Sequence, residues 1–105
     1  MGWMKDETGL EKRTANFVPL TPLSHLIRAN RVFPERTALV DRSVRRSYAE
    51  LYTRTTKLAS ALAKHGVAPG DVVAAVLPNT APAVEAHWGV PAAGAVLNAI
   101  NIRLD

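Results

Sequence analysis

The residue best suited to binding chemistry is a lone arginine near the end of the chain. Arg103 is the only lysine or arginine after Lys64, and it follows a segment typical of a buried β-strand. In open α/β sheets, ligands bind outside the carboxyl ends of the strands. A guanidinium at such a place can pair with a phosphate or a carboxylate. Arg103 is therefore the candidate binding residue, and an ordinary surface arginine in a loop is the alternative.

No other group forms a recognised catalytic or metal-binding pattern. The glycines open neither a G-x-x-x-x-G-K loop nor a G-x-G-x-x-G loop. His25, His65 and His87 form no pair with metal-ligand spacing. The sequence has no cysteine, which excludes disulfides, thiolate metal sites and cysteine nucleophiles. We therefore predict no catalytic residue and no metal site in this chain. For His87 we expect packing or a hydrogen bond to the backbone rather than a ligand role.

The first part of the chain predicts a helix followed by a hairpin. Thr21 and Pro22 are typical of a helix start, and Pro34 ends that helix. Two short strands are predicted over 37–40 and 44–47, with a turn between them at 42–43. Residues 1–16 show no periodicity, so we predict an extended leader there and a domain over 17–105.

A second helix has the clearest local signals. Ser47 and Glu50 form a capping box, in which each side chain bonds the other residue's backbone N–H. Gly66 suits the left-handed residue after a helix, and Arg54 is among the charged residues predicted to face solvent. Apolar or small residues at helical spacing form the predicted buried stripe: Tyr48, Leu51, Tyr52, Thr55, Leu58, Ala59 and Leu62.

The last part of the chain predicts a parallel βαβ unit. Residues 72–77 and 95–100 are continuous apolar runs, typical of strands buried on both faces. Between them, residues 81–93 predict a helix rich in small side chains, with Asn79 or Thr80 as its N-cap. Two such strands need further strands and a second helical layer. The fold class is therefore α/β, and we expect the N-terminal part of a larger domain.

Charge divides the chain into two parts. Residues 1–64 carry 12 basic and 6 acidic side chains, whereas residues 65–105 carry one basic and three acidic side chains. No apolar run is long enough to span a membrane, and the N-terminus lacks the apolar core of a secretory signal. The arginines at 28, 31, 36, 42, 45 and 46 lack the interleaved aromatics of a nucleic-acid motif, so we interpret them as a solvated face. We expect a cytoplasmic protein.

Several segments in order resemble the start of the AMP-forming acyl-CoA synthetases, within the adenylate-forming superfamily. These segments are residues 16–24 (NFVPLTPLS), 47–51 (SYAEL), 58–62 (LASAL), 70–74 (GDVVA), 77–79 (LPN), 89–98 (GVPAAGAVLN) and 101–105 (NIRLD). The resemblance covers about residues 14–105. It is greatest to the ligases for medium-chain fatty acids and methylmercaptopropionate, and to the related plant acyl-activating enzymes.

The resemblance implies a function for the complete enzyme. A fatty or methylthio-substituted carboxylic acid of short or medium chain length is activated by ATP to an acyl-adenylate and passed to coenzyme A, with Mg²⁺ assisting. The family's main catalytic motifs lie beyond this chain, so the 105-residue chain is expected to be inactive and to bind none of these cofactors tightly. The one residue that carries over is Arg103, whose counterpart in some members contacts a phosphate of CoA.

Two alternative hypotheses compete with this one. In the first, the chain is a truncated, non-catalytic module that binds or regulates a partner through exposed strands. In the second, it is a basic nucleic-acid-binding domain. If the chain is part of an acyl-CoA ligase, we expect a small carboxylic acid as substrate, the rest of the parent chain as partner, no nucleic acid and no membrane span. This hypothesis is compatible with an oligomer.

Overall fold

A computed structural model describes residues 8–103 of the chain. Two helices and a hairpin precede a βαβ unit. The elements in order are α1 (Pro22–Val32), β1 (Thr37–Asp41), β2 (Val44–Ser47), α2 (Tyr48–Lys64), β3 (Val72–Val76), α3 (Ala81–Ala92) and β4 (Val96–Ile100). The strands form two separate pairs, with β1 antiparallel to β2 and β3 parallel to β4. The predicted α/β class is confirmed, and so are the hairpin, the capped helix and the parallel βαβ unit.

The start of α2 is fixed by both local and distant acceptors. The Ser47 hydroxyl accepts a hydrogen bond from the Glu50 backbone N–H at 3.1 Å, as predicted. The N–H groups of Tyr48 and Ala49 donate to carbonyls of residues 36 and 34 in the loop before β1. The return bond of the capping box does not form among the described residues, because the Ser47 backbone belongs to β2 and pairs with β1. Three otherwise unpaired N–H groups of the first turn are thus satisfied.

Helix α2 ends as the sequence predicts. Gly66 adopts a φ of +90°, the left-handed conformation that glycine tolerates best. The Val67 N–H returns to the Leu62 carbonyl at 3.1 Å, which closes the last turn. On its buried side α2 presents Leu51 and Thr55, both from the predicted stripe.

Helices α2 and α3 cross at a very short distance. Gly89 of α3 is buried against the Leu58 side chain of α2, and a Cβ at position 89 would lie 2.9 Å from the Leu58 Cβ. Beside this contact, Arg54 of α2 forms a two-point ion pair with Glu85 of α3, with Nη2 3.2 Å from Oε2. The hydrogen bond and the charge of Glu85 raise the pKa of the Arg54 guanidinium. Arg54 is exposed on α2, as predicted. Its contact with a buried carboxylate on α3 was not predicted.

The parallel pair is covered on one face only. Val73 and Leu97 are half-buried on the helix side of the sheet, whereas the opposite face exposes Val72 (65%), Val76 (62%) and Val96 (55%). This agrees with the expectation that the chain supplies only part of the cover these strands need, because the described residues form a single helical layer on the pair. A second layer is what strands of this composition require.

The segment before α1 is exposed and is organised by one asparagine. The Asn16 side chain accepts from the Arg13 N–H at 2.8 Å and donates to the Glu11 carbonyl at 3.2 Å. Lys12 lies over the Phe17 ring. Residues 1–7 of the predicted leader lie outside the described residues, and the division of the chain at residue 16 stays a prediction.

We predict that Gly89→Ala destabilises the chain. The new Cβ meets Leu58 Cβ and Cγ at 2.9 and 2.7 Å. Overpacking of this kind costs about 1–3 kcal/mol, which outweighs the gain of at most about 1 kcal/mol that alanine brings to a helix interior. Urea unfolding followed by circular dichroism measures the change. Adding Leu58→Ala should recover part of the loss, as a coupling between two contacting residues. Strictly additive effects would contradict the close crossing.

Candidate binding site

A cavity of about 540 Å³ lies at the carboxyl ends of the two parallel strands. Four polar side chains line it, although they are spread over 25 residues of sequence: Asn79 after β3, His87 on α3, and Asn101 and Arg103 after β4. Small residues open the space, since four alanines line the same cavity (Ala75, Ala83, Ala86 and Ala99). The parallel register of β3 and β4 places the two strand ends side by side.

Arg103 lies where the sequence predicted it, beyond the carboxyl end of β4. Its backbone N–H donates to the Asn101 side-chain oxygen at 2.9 Å, which forms a tight turn after the strand. Arg103 is exposed, and its guanidinium has no carboxylate partner among the described residues. A guanidinium placed in this way retains its donors for an anion.

His87 reaches the cavity from α3 with one ring nitrogen already used. Its Nδ1 lies 2.7 Å from the Ala83 carbonyl oxygen, one helical turn earlier. A carbonyl only accepts, so Nδ1 carries the proton in this contact. The expected backbone hydrogen bond of His87 is thus confirmed. Its exposure and its place in the cavity lining were not predicted.

The start of α3 is tied to the hairpin. Thr80 occupies the N-cap position, but its hydroxyl donates to the Pro78 carbonyl at 3.3 Å and does not cap the helix. The cap comes instead from Asp41 at the end of β1, whose Oδ2 accepts from the Ala81 N–H at 2.9 Å. A carboxylate at this position also favours the positive end of the helix dipole. Asp41 thereby holds the end of α3 that borders the cavity.

The other two histidines lie away from this cavity. His65 ends α2 and bonds the Ala61 carbonyl, and His25 is exposed on α1. The arginines interpreted as a solvated face are exposed except Arg46, which is half-buried. Among residues 8–103, no three His, Cys, Asp or Glu side chains gather in a way that would hold a metal ion. Within the same range, none of the helices has the length and apolar character to cross a membrane.

The other polar side chains of the Arg103 cavity were not predicted from the sequence, for a physical reason. Asn79 and Asn101 each follow a buried strand, and this was the available signal, since carboxyl ends of parallel strands meet at one edge. His87 gave no signal of its own because its periodicity places it on a helix without saying which face lines a cavity. Leu104 and Asp105, which complete the segment that begins at Asn101, lie outside the described residues.

A profile of the family described as AMP-binding enzyme matches residues 26–105. Among curated relatives, the chain is 45% identical over 101 residues to a peroxisomal acetate/butyrate–CoA ligase of Arabidopsis thaliana. It is 44% identical over 96 residues to a peroxisomal trans-cinnamate:CoA ligase of Petunia hybrida. These matches cover 96% and 91% of the chain but only 18% and 17% of the relatives.

The chain is also similar to solved structures of CoA synthetases. The Mycobacterium tuberculosis fatty acyl CoA synthetase superposes with a TM-score of 0.73 at 33% identity, over 78% of this chain and 17% of that one. Both curated relatives are named as peroxisomal enzymes, so the expectation of a cytoplasmic protein is wrong.

We predict that Asp41→Ala lowers the free energy of unfolding by about 1 kcal/mol, the usual cost of a lost N-cap. Asp41→Asn keeps an acceptor oxygen and should cost less. Urea unfolding measures the stability, and hydrogen exchange at the Ala81 amide reports the cap itself. Faster exchange in Asp41→Ala than in Asp41→Asn is expected. Protection of that amide in Asp41→Ala equal to that in the wild type would show that Asp41 does not hold α3.

Proposed function

Because this chain belongs to the family of AMP-binding enzymes, we propose that the complete enzyme containing it joins a carboxylic acid to coenzyme A while ATP is cleaved to AMP and pyrophosphate. In the proposed reaction, the carboxylate oxygen attacks the α-phosphorus of ATP and pyrophosphate leaves. The acyl carbon of the resulting adenylate then takes up the sulfur of CoA, and AMP leaves. The family description and the CoA-ligase names of the relatives support this reaction class.

The proposed substrate is a short or medium-chain fatty acid, or a methylthio-substituted acid of similar size. The acetate/butyrate specificity in the name of the Arabidopsis relative supports a small acid. The peroxisomal names of both relatives support a peroxisomal location. Mg²⁺ would offset phosphate charge in the complete enzyme, but the described residues gather no group that would hold it.

The proposed role of this chain is to bind a phosphate of CoA through Arg103. The observation that carries it is the position of an unpaired guanidinium in a cavity at the carboxyl ends of parallel strands. Arginine binds phosphate with two parallel hydrogen bonds, which gives orientation as well as affinity. The amides of Asn79 and Asn101 line the same cavity and offer both donors and acceptors.

The rest of the enzyme is the proposed partner of the exposed sheet face. Val72, Val76 and Val96 form an apolar strip with no cover among the described residues. The relatives are several times longer than this chain, which covers 18% of one of them. We propose that their additional length supplies the missing layer, and that the 105-residue chain alone is not an active ligase.

In the complete enzyme, we predict that Arg103→Ala raises the KM for CoA about tenfold or more, since a lost charge-assisted hydrogen bond costs about 1.5–3 kcal/mol. Acyl-adenylate formation should change little, because that step precedes CoA binding. Steady-state thioester assays and ATP–pyrophosphate exchange measure the two effects separately. Arg103→Lys keeps the charge but not the planar fork and should lie between Ala and wild type. An unchanged KM for CoA in Arg103→Ala would refute the role.

For the isolated 105-residue chain, we predict no ATP–pyrophosphate exchange with acetate, butyrate or octanoate. The complete enzyme, assayed in parallel, is the positive control. Exchange by the isolated chain would overturn the proposal that activity needs the additional length. A monodisperse, folded chain that lacks exchange activity but retains a fixed oligomeric state would favour a non-catalytic module built on the exposed strands.

A further inference from the structure

We propose that His87 is a second phosphate-binding residue in the Arg103 cavity and that its protonation tightens the binding of CoA. This inference rests on the proposed function, since CoA is the ligand. It assigns a role to a residue that neither the sequence patterns nor the relatives' names single out. In the proposed contact, a phosphate oxygen lies between the guanidinium of Arg103 and the imidazolium of His87.

The hydrogen bond that His87 already makes fixes the state of one ring nitrogen. Nδ1–H of His87 donates to the Ala83 carbonyl at 2.7 Å. In the neutral ring the other nitrogen, Nε2, carries a lone pair and no hydrogen. Nε2 has no partner among the described residues, and the ring borders the cavity that contains Arg103. Protonation of the ring therefore changes only Nε2, from an acceptor to a charged donor.

The charges around the ring come from more than one element. Helix α3 packs against the other helices and three of the strands. Among residues 8–103, two charged residues line the cavities that His87 borders: Arg103 after β4 and Asp41 on β1. Arg54 of α2 and Glu85 of α3 are paired with each other and line neither cavity. Asp41 offsets part of the positive charge that protonation of His87 adds beside Arg103.

The charge of the cavity depends on pH through its histidine. Arginine stays protonated at all ordinary pH values, whereas histidine is the side-chain type that gains a proton between about pH 5 and 8. A phosphate oxygen accepts a hydrogen bond from Nε2 of the imidazolium but not from Nε2 of the neutral ring, which has no hydrogen there. Affinity for a phosphate is therefore expected to be higher at pH 5.5 than at pH 7.5.

His65 provides a natural comparison for this contact. Its Nδ1 bonds the Ala61 carbonyl at 2.9 Å, four residues earlier, which is the same local geometry as in His87. His65 lies at the end of α2 and lines none of the described cavities that contain Arg103. Both histidines therefore make the same Nδ1 hydrogen bond to their own helix. Only His87 of the two also borders the cavity that contains Arg103.

The experiment measures CoA binding to the complete enzyme by isothermal titration calorimetry at pH 5.5, 6.5 and 7.5. His87→Gln keeps a polar atom near Nε2 without a titratable proton, and His87→Asn keeps a donor near the Ala83 carbonyl. His65→Gln is the matched control. Far-UV circular dichroism establishes that each variant is folded. Dephospho-CoA, which lacks the 3′-phosphate, is the second probe, so that its diphosphate is tested alone.

We expect the ratio of CoA affinities at pH 5.5 and 7.5 to be about three- to tenfold larger in wild type and His65→Gln than in either His87 variant, because only the histidine gains a charged donor toward the phosphate as pH falls. The comparison cancels the titration of the CoA 3′-phosphate, which occurs in every variant. Loss of the difference with dephospho-CoA assigns His87 to the 3′-phosphate, and its persistence assigns His87 to the diphosphate.

The failures are distinguishable. CoA binding that weakens in Arg103→Ala but shows the same pH ratio in wild type and both His87 variants overturns this inference and leaves the proposed function in place. Absence of CoA binding, or binding unaffected by Arg103→Ala, overturns the proposed role of the cavity and this inference with it. An equal loss of the pH ratio in His65→Gln also counts against a role of the cavity.

Discussion

The fold depends on the close crossing of α2 and α3. Gly89 has no side chain, so the α3 backbone can pack directly on Leu58, and the Arg54–Glu85 ion pair holds the two helices beside that contact. Each partner of the pair restricts the other. Glu85 is buried, and a buried carboxylate is tolerated only with a partner, so rotating α3 away from α2 would leave its charge unpaired. The axial rotation of α3 is fixed in this way.

That rotation decides which α3 residues border the cavity. Ala83, Ala86 and His87 all line it, and they lie three or four residues apart, on one side of the helix. At its N-terminus α3 is held by Asp41 of the hairpin, and through its C-terminal turn it leads directly into β4. The hairpin, which is remote in sequence, thus helps to position α3, although none of its residues lines the cavity that contains Arg103.

Local features were predictable from the sequence, and contacts between distant elements were not. Ser47 caps its own helix and Gly66 adopts a left-handed conformation, because both depend on a few neighbouring residues. The position of Arg103 also followed from a general property of parallel strands. The Asp41 cap spans 40 residues and the Arg54–Glu85 pair spans 31. Neither has a sequence signature, because each depends on how elements distant in sequence pack together. The alanines that line the cavity also give no sequence signal for it, since alanine is common in helices and buried strands.

The uncovered face of β3 and β4 has a consequence for how such a protein is made. In residues 8–103 each strand of this pair has one hydrogen-bonded neighbour, so each leaves an edge open beside a strip of valines. Open, apolar strand edges recruit other extended chains, and parallel pairing is slow to form. During synthesis on the ribosome, a polypeptide that exposes such strands is prone to aggregate until they are covered or a chaperone shields them. The exposed valines of β3 and β4 are therefore a hazard of its biogenesis.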